Sequence, residues 1–566
     1  MAGPKAPKDP EKKRKSFYIM RNKKIIGSPQ ADGTGAQFIY LDNGRLAELA
    51  KLTGGISDQE IRELLTTAEG LRRLVYSMGV SVESDDPGET VEFMMQMYGK
   101  SDIYGSGTVF RMQVPADGME KTVKFSDIPW SEDDNIPGQI RFGFKKAETF
   151  AQVSVRLYLQ DGFDVPEPEE EPEPDLTSDV YKEMLEKSLL HTGNNSRLKH
   201  VLEKARNGED VTLAFIGGSI TQGAGAIPIN TQCYAYKTFQ RFCQLAGKGT
   251  EENIHYIKAG LGGTSSELGV VRYQRDVCGE GTVSPDLVVV EYAVNDEGDE
   301  TKGECYDSLV RKIWLSESSP AVILLFSVFA NDWNLQDRLG KVGETYDLPM
   351  VSVKDCVVEQ FYKKPGQGRV FNKNQFFFDG FHPSNLGHTV MADCLEYMLK
   401  TVDALPTDAA EPDIQRIKAP FSDEFTQIRL FDRKTLPEGA HIDCGDFTFV
   451  DEELHMAERN MDMHGTKHFP NNWMHRSGQK PFVLDIVCSA LMIVEKDTAD
   501  SDAGIVEITV DGEKVREIDP REVGWTHCNA LICFRGREKK EHHVEISMKP
   551  GDEEKWFTIL GFGYVE

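Results

Sequence analysis

Residues 211–225 read VTLAFIGGSITQGAG. Val211–Ile216 is an apolar run of strand length that ends in a glycine-rich turn. A strand buried on both faces reads as continuous apolar sequence, whereas a half-exposed one alternates. Three more such runs follow: Leu287–Val294, Ala321–Phe329 and Met350–Val353. Long helix-bearing connections separate them, Ser178–His191 and Ser196–Ala205 carry helical spacing ahead of the first, and Ser384–Lys400 reads as a closing helix. The pattern predicts a doubly wound α/β domain over residues 178–405 with a parallel sheet. In such sheets ligands sit at the carboxyl ends of the strands, where the turn after Ile216 lies.

Outward from this domain the pattern changes. Residues 161–179, DGFDVPEPEEEPEPDLTSD, hold nine acidic residues, four prolines and no basic residue. Like charges repel and proline favours extended backbone, so residues 163–177 read as a stiff, solvated linker. Before it, Ser57–Glu60 (SDQE) reads as a capping box opening one helix, and Tyr76–Val82, Val91–Tyr98, Thr108–Val114 and Val153–Leu159 read as short strands. Residues 17–162 are therefore predicted to form a β-sandwich, preceded by a disordered basic tail over residues 1–16. From residue 406 the short-strand rhythm returns. Ile505–Val510 ends in Asp511-Gly512, a pair suited to a type I′ hairpin, with Val544–Met548 and Phe557–Val565 beyond. Residues 406–566 are predicted to be a second β-sandwich.

Composition limits what the chain can do. With 64 Lys plus Arg against 92 Asp plus Glu in 566 residues, the formal net charge is −28. Such a charge opposes approach to nucleic acid or to an anionic membrane. The ten cysteines form no CxxC pair, which points away from a disulfide scaffold or zinc ribbon and towards reduced thiols. No stretch reaches the roughly 18 apolar residues of a membrane helix, and the basic N-terminus lacks a following apolar run, so the expectation is a cytoplasmic protein with no membrane partner.

The turn after Ile216 fails both phosphate-loop fingerprints: Gly223 is followed by Ala224 where Walker A needs lysine, and no GxGxxG is completed. What it presents is Ser219, behind two glycines at a strand end. Downstream, FDGFHPS places Asp379 three residues before His382, just ahead of a helix. In acyl transfer one imidazole nitrogen reaches the nucleophile while a carboxylate holds the other. Gly260–Ser265 (GLGGTS) can aim a backbone N–H, and Asn295, beyond the Leu287–Val294 run, offers an amide. Each feature alone is common in ordinary turns.

In this order, GGSIT, GLGGTS, EYAVND and DGFHP resemble the four blocks of the SGNH (GDSL-type) hydrolase superfamily. The resemblance covers about residues 178–405 and implies a flavodoxin-like α/β/α fold there; the two flanking β-sandwich units read as jelly-roll-like, the N-terminal one similar in strand rhythm to carbohydrate-binding jelly rolls. It implies Ser219 as nucleophile, His382 as general base and acid, and Asp379 as its orienting carboxylate. The Ser219 and Gly262 N–H groups and the Asn295 amide would form the oxyanion hole, with no metal and no cofactor. The first block departs from the family, reading Gly-Gly-Ser where Gly-Asp-Ser is usual.

The stretches GGSITQGAGA with CYAYKTF, GGTSSELGVVRYQRDV with PDLVVVEYAVND, and YDLPMVSV before DGFHPS resemble carbohydrate esterase-like members of that superfamily. They imply removal of O-acetyl groups from xylan- or mannan-type oligosaccharides. Gln222–Thr231 is polar and glycine-rich, with little area to hold a long acyl chain. Trp333, Trp473 and Trp525 are candidates for stacking on sugar rings; Trp473, in the polar loop HFPNNWMH, is expected to fold over the active-site mouth. His455, His464, His468 and His475 show no metal-ligand spacing. Alternatives are a short-chain acyl esterase or lysophospholipase, or a carbohydrate-binding protein with a vestigial hydrolase domain; transfer of acetyl between sugars and a homo-oligomeric state stay open.

Overall fold

The computed structural model describes residues 14–30, 35–41, 45–247, 252–453 and 468–566. A six-stranded sheet carries the middle of the chain: β1 (Leu189–His191), β2 (Val211–Gly217), β3 (Ile254–Gly260), β4 (Leu287–Glu291), β5 (Ala321–Phe326) and β6 (Met350–Ser352). The order across it is β1-β6-β5-β4-β2-β3. β2 to β6 run parallel, in the flavodoxin-like arrangement, and β1 joins β6 antiparallel.

Alternate residues of the apolar runs supply two separate cores. Ala214, Ile216, Val288, Val290, Val322 and Leu324 face the helices Ser266–Asp276, Glu304–Trp314 and Gln336–Tyr346. Val211, Leu213, Phe215, Leu287, Val289 and Ile323 face Ser196–Asn207, Tyr234–Ala246 and Asn385–Ala404. Both faces are covered, which is why these strands show no polar alternation. The helical reading of Ser178–His191 needs correction: the helix is Asp179–Lys187, and residues 189–191 turn back as β1.

Towards the N-terminus, one antiparallel sheet of Ser16–Ile26, Phe150–Leu159, Val75–Ser84 and Lys121–Lys124 lies over a second of five strands, with a shared core that includes Phe17, Val80, Phe93 and Phe142. Three short helices, Leu46–Gly54, Gln59–Leu64 and Ala68–Leu74, pack on it. The second is capped by Asp58, whose side chain accepts from the Ile61 N–H, so the start lies one residue beyond the Ser57–Glu60 box. The expected tail falls mostly on residues 1–13, outside the described residues. Arg14 is held, donating to the Leu159 carbonyl and pairing with Asp161, and Ser16 already begins a strand.

The acidic segment is mostly exposed, and it is tied down at a few positions. The side chain of Glu171 is only 5% exposed and accepts from the side chains of Asn372 and Asn374, and Gln375 donates to the Pro172 carbonyl. Arg21 and Arg369 pair with Glu171 and Glu169 respectively. The chain binds as a strap because these positive and amide groups meet its carboxylates, which composition alone does not show.

After residue 405 the chain first wraps the central unit: Ile414, Phe425 and Ile428 enter its core. Two five-stranded antiparallel sheets follow, enclosing Trp473, Phe482, Ile493 and Phe562. The hairpin of Val506–Val510 and Glu513–Ile518 turns on Asp511 and Gly512 with φ of 53° and 86°, the two positive values a type I′ turn needs. The outer side chains of this region, Met492, Val494, Ala530 and Leu560, join Val271 in the central core, fixing the sheet against the Ser266–Asp276 helix. All ten cysteines are unpaired. Among the described residues no helix is long and apolar enough to cross a membrane.

Candidate active site

β2 ends in a one-turn helix, Ser219–Gln222, that places a partly exposed Ser219 at the carboxyl edge of the sheet, between β3 and β4. His382 lies 163 residues on and brings Nε2 to 3.0 Å from Ser219 Oγ. Its Nδ1 lies 2.9 Å from Asp379 Oδ2. Asp379 Oδ1 also accepts the N–H groups of Phe381 and His382, each at 2.8 Å, so the loop bends round its own carboxylate. Desolvation raises the Asp379 pKa, but the His382 charge and these hydrogen bonds outweigh it and hold the carboxyl at about 2. Across neutral pH Asp379 is an anion, placed to fix the ring tautomer with Nδ1 protonated and Nε2 open towards the serine.

The sequence-predicted oxyanion residues converge on the same point. A Cβ built at Gly262 would stand 3.8 Å from Ser219 Cβ, and Ser219, as the first residue of its helix, keeps an N–H without an intrahelical partner. Asn295 lies against Gly218, where a Cβ would fall 2.3 Å from Oδ1 and 2.6 Å from Nδ2. This explains the Gly-Gly-Ser departure: the volume that an aspartate at 218 would need is filled by the Asn295 amide. The φ of Gly218 is −86°, so space and not backbone strain demands glycine. Gly218→Asp is therefore expected to displace Asn295 and lower kcat by about 10²–10³, the effect of losing one oxyanion donor, with near-UV circular dichroism unchanged. A variant of near-wild-type kcat would show that Asn295 is not held by this contact.

Two buried carboxylates tie the site loops together. Asp296 accepts the Ser266 N–H at 2.8 Å and its hydroxyl at 2.6 Å, joining the Asn295 loop to the helix that follows Gly262. Below Ser219, Glu291 accepts from the hydroxyls of Thr221 and Ser327. Burial pushes Asp296 up to about 8 and Glu291 to about 7. Both then bind protons in the folded state that the unfolded chain releases near pH 4, so their stabilisation is full below that pH and is lost as pH rises through 7 and 8. Differential scanning calorimetry should show the melting temperature falling between pH 4 and 8, and Asp296→Asn should flatten that fall by a few °C. An unchanged slope would remove Asp296 as its source.

No family model and no curated protein sequence matches the chain. Among solved structures, it is similar to a two-domain esterase (CEX) active on acetylated mannans, at 26% identity and a TM-score of 0.56, over 68% of this chain and 99% of that one. The structure of such an esterase co-crystallized with mannopentaose is similar at 25% identity and a TM-score of 0.54, covering 68% and 98%. The chain is an esterase.

The esterase draws on both flanking regions to hold its site loops. From the N-terminal sheets, the buried Lys23 donates to the carbonyls of Asn374 and Phe377 at 2.7 and 2.6 Å, and Tyr40 donates to that of Phe378 at 3.2 Å. Phe38 and Tyr40 meet the Phe378 ring edge-on, so the residues just before Asp379 are gripped from behind. Burial pushes the Lys23 ammonium down to about 7 against the pull of Glu171 and Asp379. From the C-terminal sheets, His527 places Nε2 2.9 Å from the Gly263 carbonyl and Nδ1 2.8 Å from Asp497. Sequence reading missed these four. The signals were slight: a lysine in the strand Ser16–Ile26 and a histidine two residues from Trp525.

The three tryptophans separate. Trp525 is exposed and packs on Gly263, whose φ of +73° and missing side chain let the indole approach the oxyanion loop. Trp333 is half-buried and stacks on Phe329, whose ring meets Phe381 beside His382. Trp473 does not reach the site. It is 2% exposed, on a strand paired with Phe557–Val565, and packs on Phe482 and Phe562. Its polar neighbours are buried too: Asn472 donates to the Asp451 and Phe469 carbonyls, so a polar sequence here is a hydrogen-bonded interior turn. Of the four histidines, His455 and His464 lie outside the described residues, and His475 contacts the Lys555 and Gly478 carbonyls.

Proposed function

We propose that the chain removes O-acetyl groups from mannan- or xylan-type oligosaccharides through an acetyl-Ser219 intermediate. The observation that carries this is the unbroken line Asp379, His382, Ser219, at 2.9 and 3.0 Å, with Gly262 and Asn295 beside the serine. The likeness to an esterase active on acetylated mannans supports the sugar assignment. The central unit, residues 178–405, would carry the chemistry, with residues 17–162 and 406–566 as β-sandwich units on either side.

Ser219 Oγ attacks the acetyl carbonyl carbon while its proton passes to His382 Nε2. Negative charge collects on the carbonyl oxygen and is met by the Ser219 and Gly262 N–H groups and the Asn295 amide. The tetrahedral intermediate collapses, the ester C–O bond to the sugar breaks, and the proton on Nε2 goes to the leaving sugar oxygen. Water then gives a proton to His382 and attacks the acetyl carbon; Ser219 Oγ leaves, taking the proton back, and acetate is released. Trp525, against Gly263, and Trp333, stacked on Phe329, would contact the sugar. Mass spectrometry of acetylated manno- and xylo-oligosaccharides tests the reading: stepwise loss of acetyl mass is expected, and unchanged spectra with folded enzyme would overturn it.

A further inference from the structure

A cavity of about 760 Å³ opens between the Leu46–Gly54 helix, the strap at residues 166–171 and the loops at 329–331 and 380–381. Its walls include Gly380 and Phe381, the two residues between Asp379 and His382, and the Phe381 ring touches the His382 ring on its other side. A single aromatic ring thus divides the cavity from the catalytic imidazole. Nothing in the acyl-transfer steps uses it.

The lining states what it would hold. Phe329, Phe381 and the exposed Tyr362 offer aromatic faces. The charged groups largely cancel, because Arg21 and Arg369 are paired with Glu171 and Glu169, so neither a polyanion nor a polycation is favoured. Glu48, Lys51 and Asn331, all exposed on its walls, bring acceptors and donors. Such a lining suits a ligand carrying both donors and acceptors. A neutral polyhydroxylated chain has hydroxyls for these groups and ring faces for the aromatics.

We infer that this cavity is a distal glycan subsite, occupied by the unacetylated flank of a chain whose acetylated sugar lies at Ser219. The inference rests on the carbohydrate esterase reading for its substrate and extends it: long oligosaccharides gain contacts across Phe381 that short esters cannot reach. Preference for chain length is then set by the N-terminal sheets and the strap, outside the unit that does the chemistry.

Two variants away from the catalytic groups test it. Ala47→Trp fills the cavity from the Leu46–Gly54 helix, and Tyr362→Ala removes an exposed aromatic face. With acetylated mannohexaose, KM is expected to rise about tenfold in the first and about threefold in the second, while kcat/KM on 4-nitrophenyl acetate stays within about twofold. An unchanged KM on the hexaose in both variants, or an equal loss on the aryl ester, would overturn the subsite. If wild type releases no acetate from any sugar, the esterase reading on carbohydrates fails by itself. The subsite is then judged by calorimetric titration with unacetylated mannohexaose: binding to wild type that Ala47→Trp abolishes supports it, and equal or absent binding refutes it.

Discussion

Replacing Ser219 by alanine is expected to end acetate release, with a rate loss on the order of 10⁶, because nucleophile and base act as one unit and removing either costs about as much as removing both. The change deletes one oxygen from a partly exposed side chain that meets His382 Nε2, so the melting temperature should move little. Mass spectra of acetylated manno-oligosaccharides incubated with wild type and variant measure the effect directly. Calorimetry on the variant with the same sugars reports whether binding survives. Retained binding with no turnover is the pattern expected of a nucleophile. Residual turnover above about a thousandth of wild type would assign the attack to another group, such as a water activated by His382.

How much of this was legible in the sequence depends on where each residue's partners lie. The central strands were readable because burial on both faces leaves an unmistakable run, as in Val211–Ile216 and Ala321–Phe326. β3 was not: its edge position leaves His255, Tyr256 and Ile257 partly exposed, so IHYIKAG shows neither a run nor a clean alternation. The candidate-site blocks were legible because Ser219, Gly262, Asn295 and the Asp379–His382 pair each follow a strand or precede a helix with its own local signature. Even the departure at Gly218 had a cause visible only in space, in the Asn295 amide that fills the position.

The groups that hold the site loops were beyond reach for the opposite reason. Lys23 acts on carbonyls more than 350 residues away, and His527 on one 264 residues away, so no local pattern joins them to the chemistry. Together they show a division of labour. The N-terminal sheets grip the Asp379–His382 loop through Lys23 and Tyr40. The C-terminal sheets grip the oxyanion loop through His527, Trp525 and the packing of Met492 and Leu560 near Val271. Trp473 marks the limit of reading polarity from sequence: its asparagine-rich surroundings signal hydrogen bonds made inside the fold and not exposure.

Asp379→Asn tests the second half of the site. The substitution keeps shape, and the amide oxygen can still accept from the Phe381 and His382 N–H groups, so the loop should stay folded. The group facing His382 Nδ1 becomes an N–H donor, which favours the ring tautomer protonated on Nε2. That nitrogen then points a proton at Ser219 Oγ and cannot accept one. A loss of about 10⁴ in kcat is expected, with KM on a small aryl ester changed far less. Because the wild-type carboxyl is held at about 2, it stays ionised throughout the working range. The depressed pKa also carries a stability signature of definite sign: the contribution is present above pH 4 and disappears as pH falls towards 2. The asparagine variant lacks a titrating group there, so its melting temperature should fall less steeply than that of wild type between pH 4 and 2. Near-wild-type kcat with a matching acid profile would remove Asp379 from the triad. A large loss of kcat with the shallower acid profile would tie the rate and the stability to the same carboxylate, the one that the loop bends round and that the N-terminal sheets hold from behind.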